Sequence, residues 1–379
     1  MIVIYNIGMS YYDILWMYIE NVNAIDVKKR DLEKLAQYQR TLWRKPQLTY
    51  LFLELTDSCN LSCKHCGSSC LSSNRNYLPF VEAKKVLDQV AKAFDSSQIL
   101  VCITGGEPLL SKDVFKIISY SISLGYSCGI TTNGTLLTNR VCCQLKNAGL
   151  DTISISLDGL ENTHNEFRCN SNAFHQALNG IRHAKNVGLN PEVVTVVHKG
   201  NLQELDFLYD LLVDEGIKLW KIANMEPIGR AAQKTSMMLD AKEFKVLLEF
   251  IKNTRNRGTG LEVNFGCSHY LGLQYEHMVR DFYFQCSAGT MVASVMANGD
   301  IGACLDIERN GLTIQGNIYR DNFVDVWQNR FNFFRRNKAE LSVKCNRCTE
   351  KNLCMGDSTH TWNFETNEPN YCVYKMMEA

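Results

Sequence analysis

The sequence predicts an α/β fold built on a parallel sheet, followed by a cysteine-rich extension. Three observations carry that expectation. From residue 48 onward, short β-branched and aromatic runs alternate strictly with longer amphipathic stretches. Polar and glycine-rich letters fall directly after those runs, where the carboxyl ends of parallel strands gather ligands. Past about residue 258 the rhythm stops and Cys, Gly, Asn and aromatic residues take over.

The strand candidates are 49–55, 99–104, 126–131, 152–157, 192–197 and 217–222. Helical patterns lie at 81–95, 112–124, 136–148, 172–188, 202–214 and 240–256. Parallel neighbours need right-handed crossovers, so six such units place helices outside the sheet. Periodicity alone leaves open whether the sheet curls into an incomplete barrel or stays doubly wound. The expected divisions are an N-terminal segment (1–47), the strand–helix unit (48–258) and the extension (259–379), which holds strand-like "MVASVMANGDIGACLDI" and helical "NFVDVWQNRFNFFRR".

Forty basic residues balance forty acidic ones across 379 positions, which argues against a nucleic-acid partner. The apolar opening "MIVIYNIGMSYYDILWMYIE" lacks a basic leader and a small-residue cleavage site, and Asn6, Asp13 and Glu20 interrupt it. It reads as a buried or docking segment rather than a membrane element. Sixteen cysteines in a chain of this size, with no export signal, point to metal ligands or core thiols in a reducing cytoplasm.

"TDSCNLSCKHCGSSC" sets Cys59, Cys63 and Cys66 at C-x3-C-x2-C directly after the first strand. Three thiolates on one loop suit three corners of a [4Fe–4S] cube and leave one iron open. A closed zinc site with Cys70 as fourth ligand is the alternative. "GGEPL", "TNGTLL", "DG", "HKGN" and "NMEPIGR" follow the next five strands in turn.

The cysteine loop together with "GGEP" resembles the radical S-adenosylmethionine superfamily. That resemblance implies a partial (β/α)6 TIM-type barrel and a cofactor pair, the open [4Fe–4S] cluster and S-adenosylmethionine. In that family the pair yields a 5′-deoxyadenosyl radical that abstracts hydrogen. It further implies that Gly105, Gly106 and Glu107 accept the methionine ammonium, Ser156 and Asp158 the ribose, and Arg168 the methionine carboxylate. His65 takes the place of an aromatic residue near adenine, and Asn133 is a cofactor-side hydrogen-bonding candidate.

Cys286, Cys304, Cys345, Cys348, Cys354 and Cys372 resemble the SPASM extension of peptide-modifying members, which implies one or two auxiliary iron–sulfur clusters. By analogy Cys345, Cys348, Cys354 and Cys372 complete one four-thiolate site. Cys286 and Cys304, with Cys267 as a further candidate, form the other, although Ser358 stands where the pattern expects a thiol. A zinc ribbon is the alternative for the Cys345–Cys372 set.

The resemblance implies an oxidoreductase that matures a ribosomally made peptide by a thioether or carbon–carbon crosslink. Its partners would be a one-electron reductant such as a flavodoxin or ferredoxin and a separate leader-recognition protein. A formylglycine-generating sulfatase maturase is the nearest alternative. There an aspartate directly follows the second SPASM thiol; here Leu305 does, and Asp306, one residue later, is the candidate proton acceptor. A non-catalytic iron–sulfur scaffold or electron carrier would need the thiols but not "GGEP". His269, Tyr270, His360 and Trp362 are candidates for lining a peptide groove.

Overall fold

The computed structural model describes residues 25–266 and 269–378, so the apolar opening stretch and Cys267 lie outside the described residues. Strands β1 (Tyr50–Glu54), β2 (Leu100–Thr104), β3 (Ser127–Thr132), β4 (Thr152–Ser156), β5 (Pro191–Val197) and β6 (Leu219–Asn224) run parallel and adjacent in chain order. Tyr50 pairs with Leu100, Leu100 with Ser127, and Val193 with Trp220. They form the partial barrel. Strand β1 is buried along its whole length, as parallel strands covered on both faces are.

A difference from the sequence expectation lies at the sheet's ends. β7 (Glu262–Phe265) adds to β6, and β8 (Val292–Val295) pairs parallel with β1. β9 (Asp300–Gly302) and β10 (Gly316–Asn317) then continue antiparallel. The boundary expected at residue 258 therefore falls within one ten-stranded sheet. The physical reason is the exposed hydrogen-bonding edges that six parallel strands would leave.

Helix α1 (Ile25–Arg44) packs Leu32 and Leu35 against Tyr270, Tyr283 and Phe284 of the extension. Helices α2 (Phe80–Ala93), α3 (Val114–Ser123) and α4 (Asn139–Asn147) cover the first crossovers. α5 (Glu161–Arg168) follows β4 and had no counterpart among the expected helices. Only His164, Phe167 and Arg168 of its eight residues are buried, too few to show an apolar period. α6 (Ala173–Asn186), α7 (Leu205–Asp214) and α8 (Ala241–Thr254) complete the outer layer, and Asp240 and Glu243 close a reciprocal capping box on α8. The expected extension helix is shorter, Phe323–Asn329 with a 3-10 turn after it. No described helix is long and apolar enough to cross a membrane.

Candidate active site at the barrel mouth

A cavity of about 340 Å3 opens at the carboxyl ends of the strands and is closed from above by the extension. Cys59, Cys63 and Cys66 line it, and none of the described cysteines is in a disulfide. The loop that carries them is held from both sides. On one side Gly106 N donates to Thr56 O (2.6 Å) and Glu107 N to Ser58 O (2.9 Å). A Cβ on Gly106 would overlap Ser58 O and stand 2.9 Å from Cys59 Cβ, so glycine is what allows the two loops to meet. On the other side, Arg230 donates from N to Cys66 O (3.0 Å), from Nε to Cys63 O (2.8 Å) and from a terminal nitrogen to Cys70 O (2.9 Å).

The expected cofactor residues divide into two groups. Gly105, Gly106, His65, Asn133, Ser156 and Arg168 line the cavity. Glu107 and Asp158 are buried directly behind it. Glu107 is fully buried and accepts from Thr132 Oγ1 (2.7 Å), Asn133 N (2.9 Å) and Leu109 N (3.2 Å). Its oxygens are used to fix the end of β3. Asp158 is buried too: Oδ2 takes Arg168 Nε at 2.6 Å and Oδ1 takes Val196 N at 2.8 Å. It orients the arginine. Burial works against that carboxylate, yet Arg168 holds it down at about 2.

His65 stacks on Phe167 at 4.3 Å, and Phe167 stacks on His198 at 4.1 Å. Burial pulls the His65 imidazole down to about 3, so it stays neutral and serves as an aromatic surface. Asn133 directs Nδ2 at Asn60 Oδ1 (2.9 Å), with Cys59 Sγ at 3.9 Å. Among the thiols, burial raises Cys59 to about 11 and raises Cys63, whereas a hydrogen bond from Cys70 lowers Cys66. Cys70 is itself buried in this cluster, and Cys169 is exposed at the end of α5.

The extension supplies the opposite wall. Cys286, Cys304, Asp306, Ser358 and His360 all line the cavity. Asp306 lies in a turn after β9, so the strand alternation that would have turned it away does not apply. Leu305 packs instead near Tyr50, Phe52 and Val292. Cys286 Sγ meets Thr359 Oγ1 at 3.0 Å. Burial opposes ionisation of this thiol, but Lys338 and Thr359 bring it below its ordinary value. Cys345, Cys348, Cys354 and Cys372 form a separate set whose members feel one another's charge; burial first, then Asp357 and neighbouring thiols, raises Cys354 and Cys372. In number and kind of donor, the three loop thiols suit a cluster with one open iron, and Cys345, Cys348, Cys354 and Cys372 would supply the four ligands of a closed one.

Sequence reasoning missed a buried relay between the two walls. Glu226, just past β6, pairs one oxygen with His360 Nε2 and the other with His269 Nε2 (3.2 Å), while His269 Nδ1 meets Asp357 Oδ2 at 2.9 Å. Despite burial, the two imidazoles hold Glu226 well below the usual carboxylate range. The signal was present in "NMEPIGR", which also holds Arg230. Of the aromatic groove candidates only His360 reaches the cavity; His269, Tyr270 and Trp362 are core packing.

Fold and site together define an iron–sulfur enzyme working at the mouth of a partial barrel. Residues 53–212 match the Radical SAM superfamily and residues 286–349 the SPASM iron–sulfur cluster-binding domain. The chain carries a Radical SAM domain and a SPASM domain; its cofactors are a [4Fe–4S] cluster, S-adenosylmethionine and auxiliary iron–sulfur clusters. An AdoMet-dependent heme synthase of Oleidesulfovibrio alaskensis is 28% identical over 329 residues, 82% of each chain. The mycofactocin maturase MftC of Mycolicibacterium smegmatis is 26% identical over 85% of this chain and 80% of its own. Streptococcus suis SuiB bound to precursor peptide SuiA superposes with a TM-score of 0.69 at 20% identity, over 91% of this chain and 80% of that one, a likeness of fold.

Proposed function

We propose that this enzyme abstracts a hydrogen atom from a residue of a ribosomally made peptide and thereby installs a thioether or carbon–carbon crosslink. The observation that carries this reading is the charge inventory of the cavity. Its charged lining residues are Arg168, Arg230, Glu226, Asp306 and, paired with Glu226, His360. Asp158 balances the charge of Arg168, and Arg230 is held by the carbonyls of Cys63 and Cys70. Such a wall disfavours a substrate with several carboxylates and suits a neutral or cationic peptide side chain. The bound cofactor pair supplies the hydrogen-abstracting radical. Arg168, set by Asp158, would hold the methionine carboxylate. Gly105 and Gly106 would offer backbone to the ammonium, and neutral His65 an aromatic surface to the base. Asp306 takes the substrate proton while an auxiliary cluster would accept the remaining electron, roles that also fit the formylglycine alternative.

A second reading rests on the heme synthase relatives, three of which span 82%, 87% and 85% of the chain. The two part in a single assay. Reconstituted enzyme, reductant and S-adenosylmethionine are incubated anaerobically with the short peptides encoded beside its gene, and separately with iron coproporphyrin III. Peptide-dependent 5′-deoxyadenosine and a product lighter by the two hydrogens of a crosslink are expected. Turnover with the porphyrin alone, with loss of carbon dioxide, would replace this proposal by the second reading. A reductant such as a flavodoxin and a cytoplasmic setting belong to the same proposal.

A further inference from the structure

Lys338 is 8% exposed and sits between the two groups of extension thiols. Its ammonium donates to Asp357 O (2.9 Å) and Thr359 Oγ1 (2.8 Å), both neutral acceptors. Among the described residues, no carboxylate forms an ion pair with it; the Asp357 carboxylate is occupied by His269 and Tyr270 N. A small cavity of about 30 Å3 separates Cys286 from Cys354, and Lys338, Asp357 and Thr359 line it. Gln285 reaches the same space with both side-chain polar atoms buried and unpartnered. A buried ammonium with only neutral partners is costly unless an anion completes its surroundings. Besides the Asp357 carboxylate, the groups that face it and turn anionic on binding iron are thiols: Cys286 on one side, Cys345 and Cys354 on the other.

We infer that Lys338 is the counter-charge shared by two auxiliary iron–sulfur clusters, one anchored at Cys286 and Cys304 and the other at Cys345, Cys348, Cys354 and Cys372. Both sites are then occupied even though Ser358 replaces a thiol. The inference rests on the SPASM assignment and not on the peptide reading. A positive charge beside a cluster favours its more negative, reduced form, so Lys338 raises the reduction potential of both auxiliary clusters. The radical-loop cluster lies outside its contacts.

The test needs no substrate. Wild-type, Cys286→Ala, Cys354→Ala, Lys338→Met and Lys338→Arg chains are reconstituted anaerobically, counted for iron and titrated by EPR. The wild type is expected to hold about twelve irons, and each cysteine variant about four fewer, as three [4Fe–4S] clusters require. Lys338→Met is expected to lower both auxiliary potentials, or to lose both auxiliary clusters, with the radical-loop signal unchanged; Lys338→Arg should restore the wild-type potentials. Full iron in Cys286→Ala overturns the inference, as does Lys338→Met with wild-type iron and potentials, or a shift in one auxiliary cluster alone. If Lys338→Met does not fold, the arginine variant decides: two auxiliary clusters at wild-type potentials support the inference, and a folded variant with shifted potentials contradicts it.

Discussion

Asp158→Asn removes the charge that holds Arg168 and leaves its shape nearly intact. Both partners are buried, at 0% and 7% exposure, with Nε at 2.6 Å from Oδ2. Breaking such a pair on one side strands an uncompensated guanidinium, which costs roughly 3–5 kcal/mol. The proton linkage gives a second figure. The carboxyl lies at about 2 against an ordinary 3.8, and at about 1.4 kcal/mol per unit this is on the order of 2 kcal/mol. Because the folded value is the lower one, that stability is present above pH 4 and is lost as pH falls through about 2. The substitution exceeds the linkage figure because it also weakens the acceptor for Val196 N. The assay is anaerobic denaturant unfolding of the apo-protein, with S-adenosylmethionine binding measured in parallel on the reconstituted one. We expect a loss of roughly 3 kcal/mol or more and weaker cofactor binding, with partial recovery of stability in an Asp158→Leu, Arg168→Met double variant. A loss below roughly 1 kcal/mol, the range of an exposed pair, would refute the reasoning.

Three further outcomes follow from the same geometry. Gly106→Ala drives a Cβ into Ser58 and Cys59, so iron counting should show about four irons lost while the extension keeps its own. Asp306→Asn should leave peptide-dependent 5′-deoxyadenosine in place but reduce crosslinked product by roughly 100-fold or more, read as the ratio of the two by chromatography. Since burial raises Cys59 to about 11, iron must displace a proton from a protonated thiol. Competition against a chelator should therefore show tighter binding at pH 8.5 than at pH 7, and equal affinity would contradict a protonated apo loop.

The six central strands were legible because each combined β-branched residues with a turn signal, and parallel pairing followed from the helices between them. β7 was not, since a four-residue strand carries little period, and although β8 lies in the strand-like "MVASVMANGDIGACLDI", its pairing with β1 was not legible. The cysteine spacing announced a metal loop, but it could not tell which carboxylates face the cofactor. Glu107 and Asp158 stand out in the linear motifs, but their contacts with Asn133 N and Arg168 appear only in the fold. Lys338 gave no signal at all. Its meaning depends on Thr359 and Cys286, which approach it only in the folded extension.

The central claim is that hydrogen leaves a peptide residue in the cavity between the thiolate loop and Asp306. Deuterium placed on successive residues of the peptide tests it directly, with mass spectrometry of the 5′-deoxyadenosine released. The account predicts label transfer from one residue and from no other. Unlabelled 5′-deoxyadenosine from every labelled peptide, with turnover intact, would contradict it.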